Sequence, residues 1–133
     1  MHVLFVCWHN AARSQMAHGF FEQLVEGRHT AASAGTHAGT RLNPTVVEVM
    51  REVGVDLRGR RPQQLTSELV DEADVVVRIL SPDPDEWPWP RSKRSFAWHI
   101  PIPADPETQD PDEIRALRDR IREQVREFIA TMP

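Results

Sequence analysis

Cys7 is the sole cysteine of the 133-residue chain. It stands where an apolar run, Val3-Leu4-Phe5-Val6, gives way to Trp8-His9-Asn10-Ala11-Ala12-Arg13-Ser14. Sulfur attacks as the thiolate, and a thiolate is favoured where backbone amides and the positive end of a helix converge. A buried strand that opens into a turn and then a helix puts Cys7 in that setting. Arg13 brings a planar guanidinium back over the same turn, a group that holds two oxygens of a tetrahedral oxyanion at once. The residue types therefore point to a loop that binds an anion and attacks it with one sulfur. Asn10 tolerates a left-handed backbone, and Ser14 opens an amphipathic run. The competing reading of Cys7 is a buried structural thiol that packs as a small hydrophobe.

The elements that position this loop can be read from periodicity. His2 to Val6 is a continuous apolar run with β-branching, as expected for a strand of a parallel sheet covered on both faces. From Ser14 to about Glu26, Met16, Ala17, Phe20, Phe21, Leu24 and Val25 recur at helical spacing, and Gly27 stands at the stop position. Thr30 to Ser33, ending at Gly35, suits a second strand close beside the anion loop. Asn43 caps a second helix that begins at Pro44 and carries Val46, Val47, Val49, Met50 and Val53. Arg58 to Pro62 reads as a basic, solvated turn. Thr66 opens a short helix, and Ala73 to Leu80 is an interior strand interrupted by Arg78. Residues 81–94, rich in proline with Trp87 and Trp89, exclude regular hydrogen bonding and suggest a loop over the site or a partner surface. Phe96, Trp98, Ile100 and Ile102 alternate as a last strand, and Pro111 to about Met132 is a closing amphipathic helix. The alternation predicts an α/β fold, with a parallel sheet between helices, in which Cys7 falls beyond the carboxyl end of the first strand.

Composition narrows the function classes. The length and the 40% hydrophobic content fit one domain, residues 1–133, with one core. A net charge of −4 without a basic cluster argues against nucleic-acid and anionic-membrane surfaces. No apolar run approaches the roughly 18 residues needed to span a bilayer, and no signal-type leader precedes the first strand. A single cysteine allows neither an internal disulfide nor a thiolate zinc site, and the six histidines are too scattered to suggest a metal centre. A reducing, cytoplasmic setting is expected, with no metal.

Val6-Cys7 through Ser14-Gln15-Met16-Ala17 resembles the low-molecular-weight protein tyrosine phosphatase superfamily, and more closely its arsenate reductase branch. Ser33-Ala34-Gly35-Thr36, Asn43-Pro44, Glu52 to Leu57, Ala73 to Val77 and Asp105-Pro106 follow in the family's order, so nearly the whole chain is covered. The resemblance implies a three-layer α/β/α, flavodoxin-like fold with a four-stranded parallel sheet. It implies Cys7 as nucleophile, Arg13 as oxyanion clamp, and Trp8, His9, Asn10, Ala11, Ala12, Arg13 and Ser14 as the oxyanion loop. Ser14 would hydrogen-bond the sulfur, and Ser33 would pin Asn10. The family protonates the departing oxygen with an aspartate followed by proline. Of Asp83, Asp105 and Asp110, Asp105 follows the last strand, whereas Asp110 reads as the cap of the closing helix.

Departures from the family pattern choose the substrate. Tyrosine phosphatases of this family place aromatic residues after the Asp-Pro, but here Glu107 and Thr108 follow, and the chain has no tyrosine. The additional cysteines of thioredoxin-linked arsenate reductases are missing as well. The single-cysteine pattern resembles the mycothiol-dependent arsenate reductases, which implies no bound cofactor, an external mycothiol-like thiol and a glutaredoxin-like reductase. Two alternatives remain open at this point. One is a phosphatase on phosphoprotein or small phosphomonoesters, working through a phosphocysteine. The other is a weakly catalytic oxyanion-binding or thiol redox-sensing module, suggested by Ala11-Ala12 where a glycine-containing turn is usual.

Overall fold

The computed structural model describes residues 1–80, 94–101, 103, 105 and 107–132. Its elements run β1 (His2–Cys7), α1 (Arg13–Val25), β2 (Thr30–Gly35), α2 (Pro44–Arg51), α3 (Ser67–Glu72), β3 (Val75–Leu80), β4 (Arg94–His99) and α4 (Pro111–Ala130). This is the order expected from the sequence. The strands form a four-stranded sheet, β2-β1-β3-β4, with every neighbouring pair parallel. With helices on both faces, it is the flavodoxin-like arrangement that the resemblance implied. The connections leaving β1 and β2 carry the chain to opposite sides of β1. That reversal opens a crevice at the carboxyl end of β1, where ligands of such sheets bind.

The pleat of β1 divides the core. Val3, Phe5 and Cys7 face α1, α2 and α4, packing with Met16, Phe20, Phe21, Met50, Ile121 and Val125. Leu4 and Val6 face the other way, toward Val70 and Ala73 around α3. Both faces of β1 are thus covered, which is why its residues are apolar without alternation. Phe5 meets Phe21 edge-on at 5.6 Å between ring centroids and Trp98 at 5.8 Å, so the strand that ends in Cys7 is gripped by aromatic side chains. Arg78 breaks the apolar run of β3 on the Val76 face, where the covering helix α3 has only 6 residues. It stands half-buried, in register with Val6 and Ala97.

Element ends follow local chemistry. Asn43 Oδ1 accepts from Thr45 N at 2.9 Å and Asp110 Oδ1 from Asp112 N at 3.0 Å, each directly before a proline at the first helical position. Asp110 is therefore a helix cap, as its sequence position suggested. Helix α1 begins at Arg13 rather than Ser14, and α2 ends at Arg51, its apolar stripe continuing through a turn in which Val55 N donates to Met50 O. Strand β4 runs from Arg94 to His99, short of the expected Ile102, because Pro101 and Pro103 have no N–H to give a ladder. Ile102 and the proline- and tryptophan-rich residues 81–93 lie outside the described residues. Helices α2 and α4 are joined by Arg118, which donates to Val49 O at 2.9 Å and to Glu52 Oε1 at 2.8 Å. Bonds from Arg115, and then Arg118, hold the Glu52 carboxyl down at about 2.

Candidate active site

Cys7 is the last residue of β1, and the chain leaves it through a turn that reaches α1 at Arg13. The turn's carbonyls are occupied from outside. Cys7 O accepts from Thr36 N at 3.0 Å, Trp8 O from His37 N at 2.8 Å, His9 O from Gly39 N at 2.9 Å and Ala11 O from Asn43 N at 3.1 Å. No peptide here is cis. In a trans peptide the N–H of the next residue points opposite to the carbonyl. The amides of Trp8, His9, Asn10 and Ala12 therefore turn away from the 36–43 segment. Such a nest of N–H groups at a helix N-terminus suits a tetrahedral anion. The Ala11-Ala12 sequence does not prevent it, because the left-handed position falls on Asn10, at φ 56°.

The side chains beneath the loop form a directed chain of hydrogen bonds. Asn10 and Ser14 are fully buried and Arg13 is 6% exposed. Asn10 Nδ2 donates to Ser14 Oγ at 2.6 Å, and Ser14 Oγ lies 2.9 Å from Cys7 Sγ. Since the serine oxygen accepts from Asn10, its hydroxyl hydrogen is free to donate to the sulfur, which stabilises the thiolate. Arg13 Nη1 donates to Ile100 O at 3.3 Å, just beyond β4, so the guanidinium lies across the carboxyl edge of the sheet. Burial draws the Arg13 pKa below its ordinary value, while the charge interaction with Cys7 opposes the fall. Arginine remains a cation throughout.

Ser33 stands elsewhere than the resemblance implied. Its hydroxyl meets His18 Nδ1 at 3.1 Å, whereas Asn10 Oδ1 accepts from Gln15 Nε2 at 2.9 Å and from the backbone N of Gln63 at 3.0 Å. The pinning of Asn10 thus falls to Gln15 and Gln63, two residues that sequence reasoning missed. Gln15 carried a signal, being a polar residue on the first turn of an otherwise buried helix face. Gln63 works through its backbone and carried none.

Asp105 is exposed. Its Oδ1 accepts from Glu107 N at 3.0 Å and its carbonyl from Thr108 N at 3.1 Å, which closes a tight turn. That turn is tied to the anion loop by one residue. Asn43 Nδ2 donates to Thr108 O at 3.1 Å, while Asn43 N donates to Ala11 O at 3.1 Å. Asn43, expected only as a helix cap, therefore registers the Asp105 turn against the Cys7 loop. On the rim, the Trp8 indole is 41% exposed and stacks on the His37 ring at 3.9 Å between centroids, with His9 Nδ1 2.8 Å from His37 O.

Residues 2–133 match the low molecular weight phosphotyrosine protein phosphatase family. The chain belongs to this family. It is 33% identical over 132 residues to the glutaredoxin arsenate reductase of Synechocystis sp., an alignment covering 96% of this chain and 95% of that protein. It is 31% identical over 134 residues to the arsenate reductase of Bacillus subtilis, covering 97% of this chain and 95% of the relative. A solved arsenate reductase in its phosphate-binding state superimposes with a TM-score of 0.86 at 30% identity, covering 99% of this chain and 98% of the other. The phosphatase-family architecture thus extends over the whole length, from the Cys7 loop through α4.

His18, on the side of α1 that meets Ser33 and Arg60, has an unusual environment. Arg60 Nη1 lies 2.9 Å from His18 Nδ1, and a guanidinium can only donate, so Nδ1 carries the lone pair. Nε2 then carries the hydrogen and donates to Glu22 Oε1 at 3.2 Å. Burial first, then the Arg60 charge, push the His18 pKa down to about 4 against the opposing pull of Glu22. A histidine with a native pKa of about 4 and an unfolded value of about 6.5 contributes stability that is complete above pH 6.5. That contribution is lost as pH falls toward 4, because the unfolded chain binds the proton first. It amounts to at most about 3 kcal/mol. His18→Gln keeps a donor and an acceptor but cannot titrate. Urea midpoints measured from pH 7 to pH 4 should therefore fall less steeply for the variant than for the native chain, and parallel slopes would contradict the assignment.

Proposed function

We propose that the protein is an arsenate reductase that completes turnover with an external low-molecular-weight thiol of the mycothiol type. The observation that carries the reading is the directed chain from Asn10 Nδ2 to Ser14 Oγ to Cys7 Sγ, in a loop whose amides turn away from the 36–43 segment. It combines a stabilised nucleophile with an oxyanion seat. The names of the relatives and of the superimposed structure support arsenate as the oxyanion. The sequence, with one cysteine, supports an outside thiol.

Arsenate enters with its oxygens on the loop amides and on the Arg13 guanidinium, which balance its charge. The Cys7 thiolate attacks arsenic, one oxygen leaves as water after receiving a proton from Asp105, and a sulfur–arsenic bond remains. The external thiol then forms its own sulfur–arsenic bond as that of Cys7 breaks, Cys7 leaving as the thiolate while arsenic remains As(V). A glutaredoxin-like partner attacks the sulfur of that small-thiol adduct. A mixed disulfide forms, the electron pair of the sulfur–arsenic bond stays on arsenic, and arsenite departs as As(III). The chain itself thus undergoes no net oxidation.

Phosphomonoester hydrolysis is the second reading, favoured by the family that the chain matches. The two differ in their acceptor. Arsenate reduction should require an added small thiol and a thiol-disulfide partner, whereas para-nitrophenyl phosphate hydrolysis requires neither. Vigorous thiol-free hydrolysis together with no thiol-dependent arsenite release would reverse the order of the two. In the same assay Asp105→Asn should lower kcat by about 10²- to 10⁴-fold while Cys7 remains alkylated at the native rate. Full activity of Asp105→Asn would move the acid to another residue.

A further inference from the structure

We propose that Arg60 is a positioning residue for the nucleophile: it latches segment 60–64 onto α1, and the latched segment holds Asn10, and through Asn10 the Ser14–Cys7 pair. This inference rests on the reading of Cys7 as the attacking sulfur. The basic stretch Arg58 to Pro62 looked in sequence like a solvated turn, and Arg58 behaves as one, pairing with exposed Asp56. Arg60 does not. Gly59, at φ 83°, closes a turn in which Arg60 N donates to Leu57 O at 3.2 Å. A left-handed glycine at that place returns the chain toward α1. There the guanidinium spans His18 Nδ1 and Glu22 Oε1.

Beyond the latch, the segment reaches the anion loop at several points. Arg61 O accepts from Gln15 Nε2 at 3.3 Å, and Gln63 N donates to Asn10 Oδ1 at 3.0 Å. Gln63 Nε2 donates to Ser33 O at 2.8 Å, and the Ser33 hydroxyl returns to His18. A closed circuit of hydrogen bonds therefore runs from Arg60 through His18, Ser33 and Gln63 to Asn10. Asn10 is held left-handed and fully buried, and both groups that fix its carbonyl oxygen, Gln15 Nε2 and Gln63 N, are themselves engaged by this segment. If the segment swings away, Asn10 loses a donor and its amide no longer has a set angle toward Ser14. The hydroxyl that stabilises the sulfur then wanders. The charges facing the circuit are Arg60, Glu22 and His2 around His18, and Arg13 over Cys7.

A partly exposed ion pair does little for global stability. The latch should consequently show in sulfur reactivity more than in melting temperature. The test is iodoacetamide alkylation of Cys7 at pH 7, with thermal unfolding recorded on the same samples. Arg60→Ala should alkylate about three- to tenfold more slowly than the native chain and recover at higher pH, with little change in Tm. Arg60→Lys, which keeps the Glu22 arm alone, should fall between the two. Glu22→Gln, which leaves Arg60 in place without its carboxylate, should slow alkylation in the same direction and serves if Arg60→Ala does not fold. Asp74→Ala is the control for a purely structural loss, because Asp74 Oδ2 accepts from His2 N at the opposite end of the sheet. Native-rate alkylation in both Arg60→Ala and Glu22→Gln, or equal slowing in Asp74→Ala, overturns the proposal. The native rate itself tests the nucleophile reading: a Cys7 no more reactive than an ordinary thiol would sink that reading, whatever the variants do.

Discussion

Cys7→Ser should abolish arsenate reduction, lowering thiol-dependent arsenite release by at least about 10⁴-fold, while the chain still folds and still binds the oxyanion. The expectation follows from what the substitution keeps and what it removes. A serine oxygen occupies nearly the place of the sulfur and can hydrogen-bond Ser14, so the buried chain from Asn10 is not broken. The loop amides owe their direction to carbonyls bonded by the backbone N–H groups of Thr36, His37, Gly39 and Asn43, bonds in which the Cys7 side chain takes no part. What disappears is the nucleophile, because a hydroxyl near neutral pH has almost no alkoxide and this loop supplies no base within the Ser14–Cys7 pair. Isothermal titration with inorganic phosphate, beside a coupled arsenite assay, separates the two properties. Retained turnover in Cys7→Ser would remove the sulfur from the mechanism; lost phosphate binding would mean that the sulfur, rather than the amides, shapes the seat.

The legible parts of this protein are those whose physics is local. The apolar run ending at Cys7, the 3.6-residue stripe of α4 and the Asn43-Pro44 and Asp110-Pro111 caps were visible because each is set within a few residues. The order of elements and the parallel sheet between helices followed from alternation, since a parallel sheet needs crossovers, and the four-stranded flavodoxin-like form from the resemblance. The support of the site was less legible. Asn10 was recognised for its backbone, but its partner was expected to be Ser33, whereas long-range folding delivers Gln15 and the backbone of Gln63 to it. A backbone donor has no sequence signature. The Arg60 latch was hidden for a related reason, since a basic turn is ordinarily solvated and only the packing of segment 60–64 against α1 makes it otherwise. Asn43 was read as a cap, and is one. Its second task, joining the Thr108 turn to Ala11, depends on residues 65 positions apart meeting in space.

Gly35→Ala is the backbone counterpart of the Cys7 substitution, with a large but smaller loss of turnover that arises for a different reason. Gly35 lies in register with Cys7, and a methyl group there would come within 2.7 Å of Trp8 O, 2.8 Å of His9 C and 2.9 Å of Asn10 N. All three are main-chain atoms of the anion loop and cannot rotate aside as a side-chain tip can. Gly35 cannot retreat either. Its N donates to Gln63 O at 2.9 Å and its carbonyl accepts from Leu65 N at 2.8 Å, which fixes it from the far side. The loop must therefore move, and the Trp8 O to His37 N bond that orients the His9 amide is the first to suffer. A displacement approaching 1 Å in such a site can reduce turnover by about 10²-fold, and overpacking of this kind costs about 1–3 kcal/mol of stability. Phosphate affinity and kcat should fall together in Gly35→Ala, with the far-UV circular dichroism unchanged. Gly39→Ala provides the contrast within the same segment, since its methyl would meet His9 O at 3.8 Å and His9 Cβ at 3.9 Å, ordinary van der Waals distances. That variant should bind phosphate and turn over as the native chain does. Equal behaviour of the two variants, whether both active or both inactive, would mean that the close approach of β2 to the loop is not what holds the amides in place.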